Sequence, residues 1–385
     1  MKDVLIISNY FQPEMGAASN RIFQMAKGLS KDANVSVVCP LPNYPTGKIF
    51  DGYKSMRQES IENIQVNRLW IYPSNSKNKL VRLFSMLSFS FSLMWFIFMN
   101  KVPKTVIVNS PPLFVAFTSL LFLSRKKHRL ILNVSDLWPK SALELNAVKK
   151  GFGYNLLLKI EKYNYKKADL ILGQSEEILA HIKTVVPKKE TLLFRNYPDF
   201  KAPKIEIESY RNSQKIKIVY AGLLGVAQNI VGLAQRLDYK NIELHVYGSG
   251  AEEENLKSFI QHNPDLPILF HGSLERTELH KELVKYDATI IPLKNKIYGA
   301  VPSKIFEYSR LGLPIIYFGG GEGEALVTKY NLGWIAEAGN YDSLNNVISE
   351  INIKDLNSNL REKIQETALY NFDAKHQTNC LISLI

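Results

Sequence analysis

The sequence contains little cysteine and none of the groupings that mark metal or redox sites. Cys39 and Cys380 are the only cysteines among 385 residues, and they lie far apart. No C-x-x-C pair or Cys/His cluster accompanies them, which excludes a zinc framework and a redox pair. We therefore predict no metal and no cofactor, in a reducing compartment.

The chain also lacks a secretory signal pattern and any low-complexity tract. Its first apolar run, residues 4–7, is too short for a signal. We therefore expect a cytoplasmic protein. A hydrophobic fraction of 46% with 22% charged residues is typical of a folded globular chain, and 385 residues predict two domains.

Acidic residues are in the minority, which gives a formal net charge of +12. Such a charge suits nucleic acid, phosphorylated substrates or an anionic membrane surface. No helix-turn-helix, zinc-finger or RNP signature is present, so we expect no nucleic-acid partner.

Short apolar runs alternate with helical patterns along the chain. The first half has predicted strands at 4–8, 35–39, 105–108, 129–133 and 170–172. The second half has them at 216–220, 242–246, 268–270, 288–291 and 314–317. Strands that alternate with helices indicate parallel, doubly wound sheets. The apolar pattern lapses near residue 199 and resumes at 216, so we predict an α/β fold with two Rossmann-like domains.

Three glycine-containing loops follow predicted strands of the second half: Ala221-Gly-Leu-Leu-Gly225, Gly248-Ser-Gly250 and Gly319-Gly-Gly-Glu-Gly323. Ligands of such sheets bind where these loops meet helix N-termini. We predict that Gly222, Gly225, Gly248 and Gly250 contact a phosphate or a nucleotide. Glycines that only form turns are the alternative.

Residues 83–99 form an uncharged apolar stretch that contains four serines. It is borderline for a membrane span, which needs about 20 apolar residues. We predict a helix that docks in the membrane interface, because Lys77, Lys79, Arg82, Lys101 and the basic cluster 125–129 surround it. A wholly buried helix is the alternative.

The segment Val301-Pro-Ser-Lys-Ile-Phe-Glu-Tyr308, followed by Leu311-Gly-Leu-Pro-Ile-Ile316, resembles the signature of retaining glycosyltransferases of family 4, which have the GT-B fold. Further motifs resemble the branch with L-fucosamine (FucNAc) transferases and colanic-acid-type enzymes. These motifs are Tyr10-Phe-Gln-Pro-Glu14 with Gly16 and Arg21, Pro42-Asn-Tyr-Pro45 with Gly47, and Ser135-Asp-Leu-Trp-Pro139. Together they extend over most of the chain.

The resemblance implies roles for the residues of the 301–308 motif. Glu307 would accept hydrogen bonds from both ribose hydroxyls, with a solvated helix glutamate as the alternative. Ser303 and Lys304 would bind the diphosphate and stabilise the charge that develops on departing UDP. The alternative for Lys304 is an exposed surface lysine.

Three residues of the first half receive roles in the same way. Gly16 lies in the loop that approaches the donor phosphates in the family, with a turn-forming glycine as the alternative. Asp136 would bind the sugar or the acceptor at the reacting centre, unless it is a helix N-cap. Arg21 would meet a phosphate of a lipid-linked acceptor, unless it forms a surface salt bridge.

The sequence departs from the family pattern at two places. Many members carry a second glutamate eight residues before the ribose-binding one, where this chain has Gly299. Many also have an Arg and a Lys after the first strand of the second domain, where this chain reads Gly222-Leu-Leu-Gly-Val-Ala-Gln-Asn229. The branch named above resembles this sequence at both places.

The resemblance implies a retaining, metal-independent glycosyltransferase. It would have an N-terminal acceptor and membrane domain (1–198), a C-terminal nucleotide-sugar domain (199–360) facing it across a cleft, and a helix (361–385) crossing back to the first domain. The sugar, an N-acetylated amino sugar such as FucNAc, would pass from a UDP-sugar to an undecaprenyl-diphosphate-linked saccharide. The product would be a capsule, O-antigen or lipopolysaccharide, made at the inner face of the cytoplasmic membrane.

The implied mechanism is front-side displacement, in which the leaving phosphate helps to remove the acceptor proton. Two alternatives stay open: a UDP-sugar 2-epimerase of the same fold, and a non-catalytic UDP-binding subunit of a polysaccharide assembly complex.

Overall fold

The computed structural model describes residues 1–14, 16–76, 78–144, 148–205, 215–294 and 298–385. The chain forms two compact units. Unit 1 comprises Met1–Asn196 together with Ala374–Ile385, and unit 2 comprises Tyr197–Asp373. Each unit has its own largely parallel sheet, so the predicted α/β architecture of two Rossmann-like halves is confirmed.

Unit 1 is built on an eight-stranded sheet. Its strands are β1 (Lys2–Ile7), β2 (Ala33–Pro40), β3 (Gln58–Ile61), β4 (Ile64–Leu69), β5 (Thr105–Ser110), β6 (Arg129–Val134), β7 (Leu170–Gly173) and β8 (Glu190–Leu193). They lie in the order β3-β4-β2-β1-β5-β6-β7-β8. Only β3 and β4 pair in antiparallel fashion, through a turn at Glu62 and Asn63, which have φ values of 45° and 66°.

The central strands of unit 1 are buried on both faces, which explains their continuous apolar sequences. All six residues of β5 are buried, as are the last four of β1. Helices cover both faces of such a sheet, so no polar alternation is needed. The strand order reverses between β1 and β5, and ligands of open α/β sheets bind at the carboxyl ends of strands at such a point.

Seven helices of unit 1 fall within the described residues. They are α1 (Ala17–Leu29), α2 (Lys79–Met99), α3 (Leu113–Phe122), α4 (Lys140–Glu144), α5 (Phe152–Lys167), α6 (Glu176–Val185) and α14 (Ala374–Ser383). Helix α1 packs Ile22, Met25 and Leu29 into the core, at the spacing of one helix face.

Unit 2 is built on a six-stranded parallel sheet. Its strands are β9 (Ile216–Ala221), β10 (Ile242–Tyr247), β11 (Ile268–Gly272), β12 (Ala288–Pro292), β13 (Ile315–Phe318) and β14 (Gly333–Ala336). The order β11-β10-β9-β12-β13-β14 places the reversal between β9 and β12. Side chains of β9 alternate between two cores, with Ile218 and Tyr220 on one face and Val219 and Ala221 on the other.

The helices of unit 2 flank this sheet. They are α7 (Ile230–Ala234), α8 (Glu253–His262), α9 (Arg276–Leu283), α10 (Lys304–Arg310), α11 (Gly321–Lys329), α12 (Tyr341–Glu350) and α13 (Ser358–Asn371), with a short 3₁₀ turn at Ile353–Asp355.

The C-terminal segment is divided between the two units. Residues 361–373 stay in unit 2, because Ile364, Ala368 and Phe372 fill the core beneath α10. Only α14 belongs to unit 1, where Leu381 joins the core. The division between the units falls after Asn196, close to the predicted residue 198.

Candidate functional site

Glu307 is the centre of a charged cluster in unit 2. Its side chain is buried, with a residue exposure of 6%. Oε1 accepts hydrogen bonds from Arg276 Nε at 3.1 Å and from His280 Nε2 at 2.8 Å. Lys304 Nζ lies 3.0 Å from Oε2. Glu307 is therefore not the solvated helix glutamate of the alternative interpretation.

The surroundings of Glu307 keep it ionised. Burial alone would raise the pKa of this carboxyl. The hydrogen bond from His280 and the positive charges of Lys304 and Arg276 outweigh burial and hold the pKa of Glu307 well below its ordinary value of 4.5. The site therefore presents a carboxylate that can accept hydrogen bonds from neutral donors such as hydroxyls.

The cations around Glu307 remain within reach of solvent. The side chain of Arg276 is 50% exposed and that of Lys304 is 32% exposed. Lys304 Nζ also lies 5.3 Å from the centre of the Tyr308 ring. Ser303 is the N-cap residue of α10, and its side chain makes no capping hydrogen bond. The alternative of a merely exposed lysine does not describe Lys304, because an ion pair holds it.

Helix α10 is anchored to the first glycine loop. The Tyr308 hydroxyl donates a hydrogen bond of 2.6 Å to the carbonyl oxygen of Ala221, at the carboxyl end of β9. Ala221 immediately precedes Gly222. The structure thus brings Glu307 and Lys304 to the same end of the sheet as the loop that contains Gly222 and Gly225.

The first two glycine loops pack backbone against backbone. Gly222 N donates to the Tyr247 carbonyl at 3.1 Å, and Leu224 N donates to the Ser249 carbonyl at 2.9 Å. Gly248 has a φ of 132°, and a Cβ there would lie 1.8 Å from the Gly222 oxygen. A Cβ on Gly250 would lie 2.5 Å from the Leu224 oxygen. Glycine is therefore required at 248 and 250 by the neighbouring loop, whether or not a ligand also approaches.

Gly299 has its own backbone reason to be glycine. Its φ of 85° lies in the left-handed region, where a glutamate side chain would be strained. Residue 299, where the resemblance would place a second glutamate, therefore has a backbone conformation that disfavours any side chain.

Arg21 and Asp136 lie together in unit 1. Arg21 is 6% exposed and donates through Nη1 to Gln174 Oε1, one residue after β7. Its Nε and Nη2 have no hydrogen-bond partner among the described residues. Burial lowers the pKa of Arg21 to about 10, while the charge of Asp136 opposes that shift. The alternative of a surface salt bridge is wrong for Arg21, because the guanidinium is buried and its partner is an amide.

Asp136 lies near this guanidinium, two residues after β6. Its side chain still reaches solvent. Partial loss of water around the Asp136 carboxyl raises its pKa, and the positive charge of Arg21 opposes this shift. Helix α4 begins only at Lys140, so Asp136 is not its N-cap. Asp136 is therefore available for another role.

The first motif loop is fixed by a buried glutamate. Glu14 is 3% exposed, and its Oε1 accepts from the backbone N–H groups of Asn43 at 2.8 Å and Tyr44 at 2.9 Å. Gly16, the N-cap of α1, has an extended backbone, and a Cβ there would meet only the Tyr44 ring at 3.6 Å. The loop itself would thus accept a small side chain at residue 16.

Sequence reasoning missed three residues of these clusters. Arg276 and His280 lie one turn apart on α9 and point at the same carboxylate oxygen. Their i,i+4 spacing was visible in the sequence, but nothing there connects α9 to α10. Gln174 likewise follows a strand and shows no motif.

Among the described residues, no helix is long and apolar enough to cross a membrane.

Comparison with known proteins places this geometry in context. Residues 203–369 match the family model described as glycosyl transferases group 1. No curated protein sequence is significantly similar to the chain.

Several solved structures are similar along the whole chain. Sucrose-phosphate synthase from Thermosynechococcus elongatus has a TM-score of 0.76 at 14% identity, covering 100% of this chain and 98% of its own. Anabaena HepE in complex with UDP has a TM-score of 0.70 at 14% identity, covering 100% and 99%. WaaG, a glycosyltransferase involved in lipopolysaccharide biosynthesis, has a TM-score of 0.65 at 12% identity, covering 99% of each chain. The fold is therefore the GT-B fold, and the match to the group 1 model lies within unit 2.

Proposed function

We propose that this protein is a retaining, metal-independent glycosyltransferase of family 4. It transfers a sugar, an N-acetylated amino sugar such as FucNAc, from a UDP-sugar to an undecaprenyl-diphosphate-linked saccharide. The product belongs to a capsule, O-antigen or lipopolysaccharide of the bacterial surface. The observation that carries the proposal is the ionised Glu307 at the start of α10, inside the segment that matches the group 1 model.

The donor binds to unit 2 at the carboxyl ends of β9 and β12, where the strand order reverses. Glu307 accepts hydrogen bonds from the two ribose hydroxyls. Lys304 and Arg276, now paired with Glu307, are exposed enough to turn towards the diphosphate. The UDP bound to the similar Anabaena structure supports the choice of nucleotide.

Transfer requires that negative charge be stabilised on the departing UDP. Cationic side chains that are already positioned do this at little reorganisation cost, and losing one such donor typically costs about 10²–10³ in kcat. The bond between the sugar C1 and the diphosphate oxygen breaks as the acceptor oxygen bonds to C1 on the same face. The acceptor proton moves to the leaving phosphate oxygen. Because attack and departure take place on the same face of C1, no protein carboxylate has to form a covalent bond with the sugar.

The acceptor binds to unit 1. Burying a guanidinium lowers the stability of the fold when its N–H groups have no hydrogen-bond partner. Nε and Nη2 of Arg21 have no partner among the described residues, and an anion that accepts from them would remove this cost. Arg21 is thus suited to a phosphate oxygen of the lipid diphosphate. Asp136 lies beside it and binds a hydroxyl of the sugar or of the acceptor saccharide.

Helix α2 provides the membrane contact. Its outward face carries large apolar side chains at helical spacing, namely Leu80, Phe84, Leu87, Phe91, Trp95 and Phe98, all more than two-fifths exposed. Three of its four serines are buried instead: Ser85, Ser88 and Ser90. This arrangement is the reverse of that expected for a helix facing water. The exposed apolar face therefore supports docking over the alternative of a wholly buried α2.

The apolar face of α2 continues onto neighbouring elements and is bordered by cations. Phe98 contacts Phe122 of α3, and Tyr72 contacts Phe84, each with ring centres 5.3 Å apart. Lys101 and Lys104 follow the end of α2 and are exposed. Residues 125–127 follow the end of α3 and are exposed as well, although Arg125 already pairs with Asp169. Lys77 lies outside the described residues, as do the side chains of Lys79 and Arg82. An apolar face with a basic border suits the interface of an anionic bilayer.

A transfer assay tests this function. Purified protein in detergent is incubated with UDP-N-acetylamino sugars and an undecaprenyl-diphosphate-linked saccharide, with and without EDTA. We expect a lipid-linked product with the anomeric configuration of the donor, formed equally in EDTA and lost in Glu307→Gln and Lys304→Gln. Lys240→Gln, on an exposed residue of unit 2, is the charge-matched control. Conversion of the UDP-sugar to its 2-epimer, or no turnover of any donor, would contradict the proposal.

A further inference from the structure

Unit 2 contains a cavity that the proposed function does not use. Its volume is about 860 Å³, within the range of roughly 300–1,000 Å³ that is usual for ligand pockets. It lies between α9, the start of α13 and the segment 200–205. Asp287, which immediately precedes β12, lines it, so the cavity reaches the amino ends of the strands. Glu307, Lys304 and the glycine loops are not among its lining residues.

The lining combines positive charge with apolar surface. Six cationic residues line the cavity: Lys201, Lys204, Lys281, Lys285, Lys354 and Arg361. Among the described lining residues, Asp287 is the single acidic one, and it already accepts a hydrogen bond from Lys217 N at 2.8 Å. Phe200, Val284, Leu311, Ile353 and Leu356 supply the apolar surface.

The wall formed by residues 200–205 is pinned to the helices. Arg310 Nε donates to the Phe200 carbonyl at 2.7 Å, and Gln365 Nε2 donates to the Pro203 carbonyl at 3.0 Å. Arg361 Nη2 donates to the Val284 carbonyl at 2.7 Å and so joins α13 to the end of α9. The described part of the cavity is therefore held by hydrogen bonds to backbone carbonyls.

We infer that this cavity binds a phosphate-bearing small molecule with an aromatic or apolar body, at a site separate from the donor site. Several ammonium groups over an apolar wall match the two parts of such a ligand. Four of the lysines, at 201, 204, 281 and 354, are exposed and can turn towards a bound phosphate.

His280 connects the cavity to Glu307. Its ring lies against Phe200, with centres 4.3 Å apart, and lines the cavity, while Nε2 is 2.8 Å from Glu307 Oε1. A ligand that packs against the His280 ring from the cavity holds the ring in the orientation in which Nε2 contacts Glu307, which strengthens the hold of His280 on the carboxylate. With His280 held on Glu307 Oε1, the ribose hydroxyls bind the carboxylate less tightly, so the cavity ligand weakens donor binding without touching Glu307. This coupling, unlike the site itself, rests on the proposed function.

Calorimetry with 1-naphthyl phosphate tests the site. We expect binding by the full-length protein and a loss of affinity of at least about tenfold in the double variant Lys281→Gln/Lys354→Gln. The charge-matched control is Lys240→Gln/Lys329→Gln, two exposed lysines of unit 2 outside the cavity. Absence of binding by folded wild type, or equal losses in both double variants, would overturn the site.

The coupling is measured in the same experiment by titrating UDP with and without saturating 1-naphthyl phosphate. We expect UDP affinity to fall by at least about fivefold, and naphthyl phosphate affinity to fall equally when UDP is saturating. An unchanged UDP affinity would overturn the coupling. A third outcome is that UDP fails to bind while 1-naphthyl phosphate still binds the cavity double variant more weakly than the control double variant. In that case the proposed function and the coupling fail, and the cavity site stands.

Discussion

The hydroxyl of Tyr308 donates a hydrogen bond of 2.6 Å to the carbonyl oxygen of Ala221, and this bond joins the residue after Glu307 to the residue before Gly222. Both partners are buried. This contact therefore ties the helix that bears the carboxylate to the loop with which it would hold a nucleoside diphosphate.

Tyr308→Phe tests this contact. The variant leaves a buried carbonyl without its donor, so we expect the free energy of unfolding to fall by about 1–3 kcal/mol. UDP affinity should fall as well, because α10 is no longer tied to the loop. Tyr239→Phe is the control, since its hydroxyl donates to the Ala234 carbonyl at 2.7 Å, outside the predicted donor site. It should lose stability but retain UDP affinity, as measured by urea unfolding and calorimetry.

Two glycine substitutions separate a packing role from a ligand role. Gly248→Ala should be strongly destabilising, by more than about 2 kcal/mol, because Cβ would overlap the Gly222 carbonyl. Gly16→Ala should unfold like wild type, since its Cβ has ordinary contacts, but should transfer sugar more slowly if a ligand approaches this backbone. Full activity of Gly16→Ala would refute the predicted role of Gly16.

Removal of aromatic side chains from α2 should weaken membrane binding. We expect Phe91→Ser/Trp95→Ser to bind phosphatidylglycerol vesicles at least about tenfold more weakly in sedimentation assays. Tyr370→Ser, which removes an 87% exposed aromatic from unit 2, should change nothing. If both proteins bind the vesicles as wild type does, α2 is not the docking helix.

A histidine pair should make stability depend on pH. His245 Nδ1 lies 3.0 Å from His271 Nε2. Burial lowers the pKa of both side chains below 6.5, and the neighbouring His271 charge lowers that of His245 further. Below pH 6.5 the unfolded chain therefore binds more protons than the folded chain, so the stability from this pair is complete above that pH and declines below it.

The measurement is urea unfolding between about pH 7.5 and about pH 5.5, the interval in which an ordinary histidine titrates. His271→Gln should show a smaller decline in the free energy of unfolding than wild type. His262→Gln, at an exposed position of α8, should decline as wild type does. A decline in His271→Gln as steep as in wild type would exclude the pair as its source.

The sequence predicted the central strands well because buried parallel strands are continuous apolar runs. It missed β3, β4, β8 and β14. Two of these form a hairpin whose turn, Glu62-Asn63, lacks the glycine that usually marks such turns. The strands β8 and β14 are only four residues long and partly exposed, so neither length nor burial distinguishes them from loops.

The candidate site was predictable only where a local motif spans it. Lys304 and Glu307 lie three residues apart, so one motif contains both. Arg276 and His280 reach Glu307 from 31 and 27 residues upstream, a relation that only the packing of α9 on α10 creates. The glycines at 248 and 250 were predicted as ligand contacts, whereas their closest neighbours are backbone atoms of the adjoining loop.

Calorimetry tests whether unit 2 binds a uridine nucleotide through Glu307. Detergent-solubilised wild type is titrated with UDP, GDP and dTDP, and Glu307→Gln with UDP. The glutamine variant is used because it keeps the shape of a side chain that Arg276, His280 and Lys304 surround. We predict selective binding of UDP by wild type and its loss in a folded Glu307→Gln. Failure of folded wild type to bind any of the three, or undiminished UDP binding by Glu307→Gln, would contradict the account.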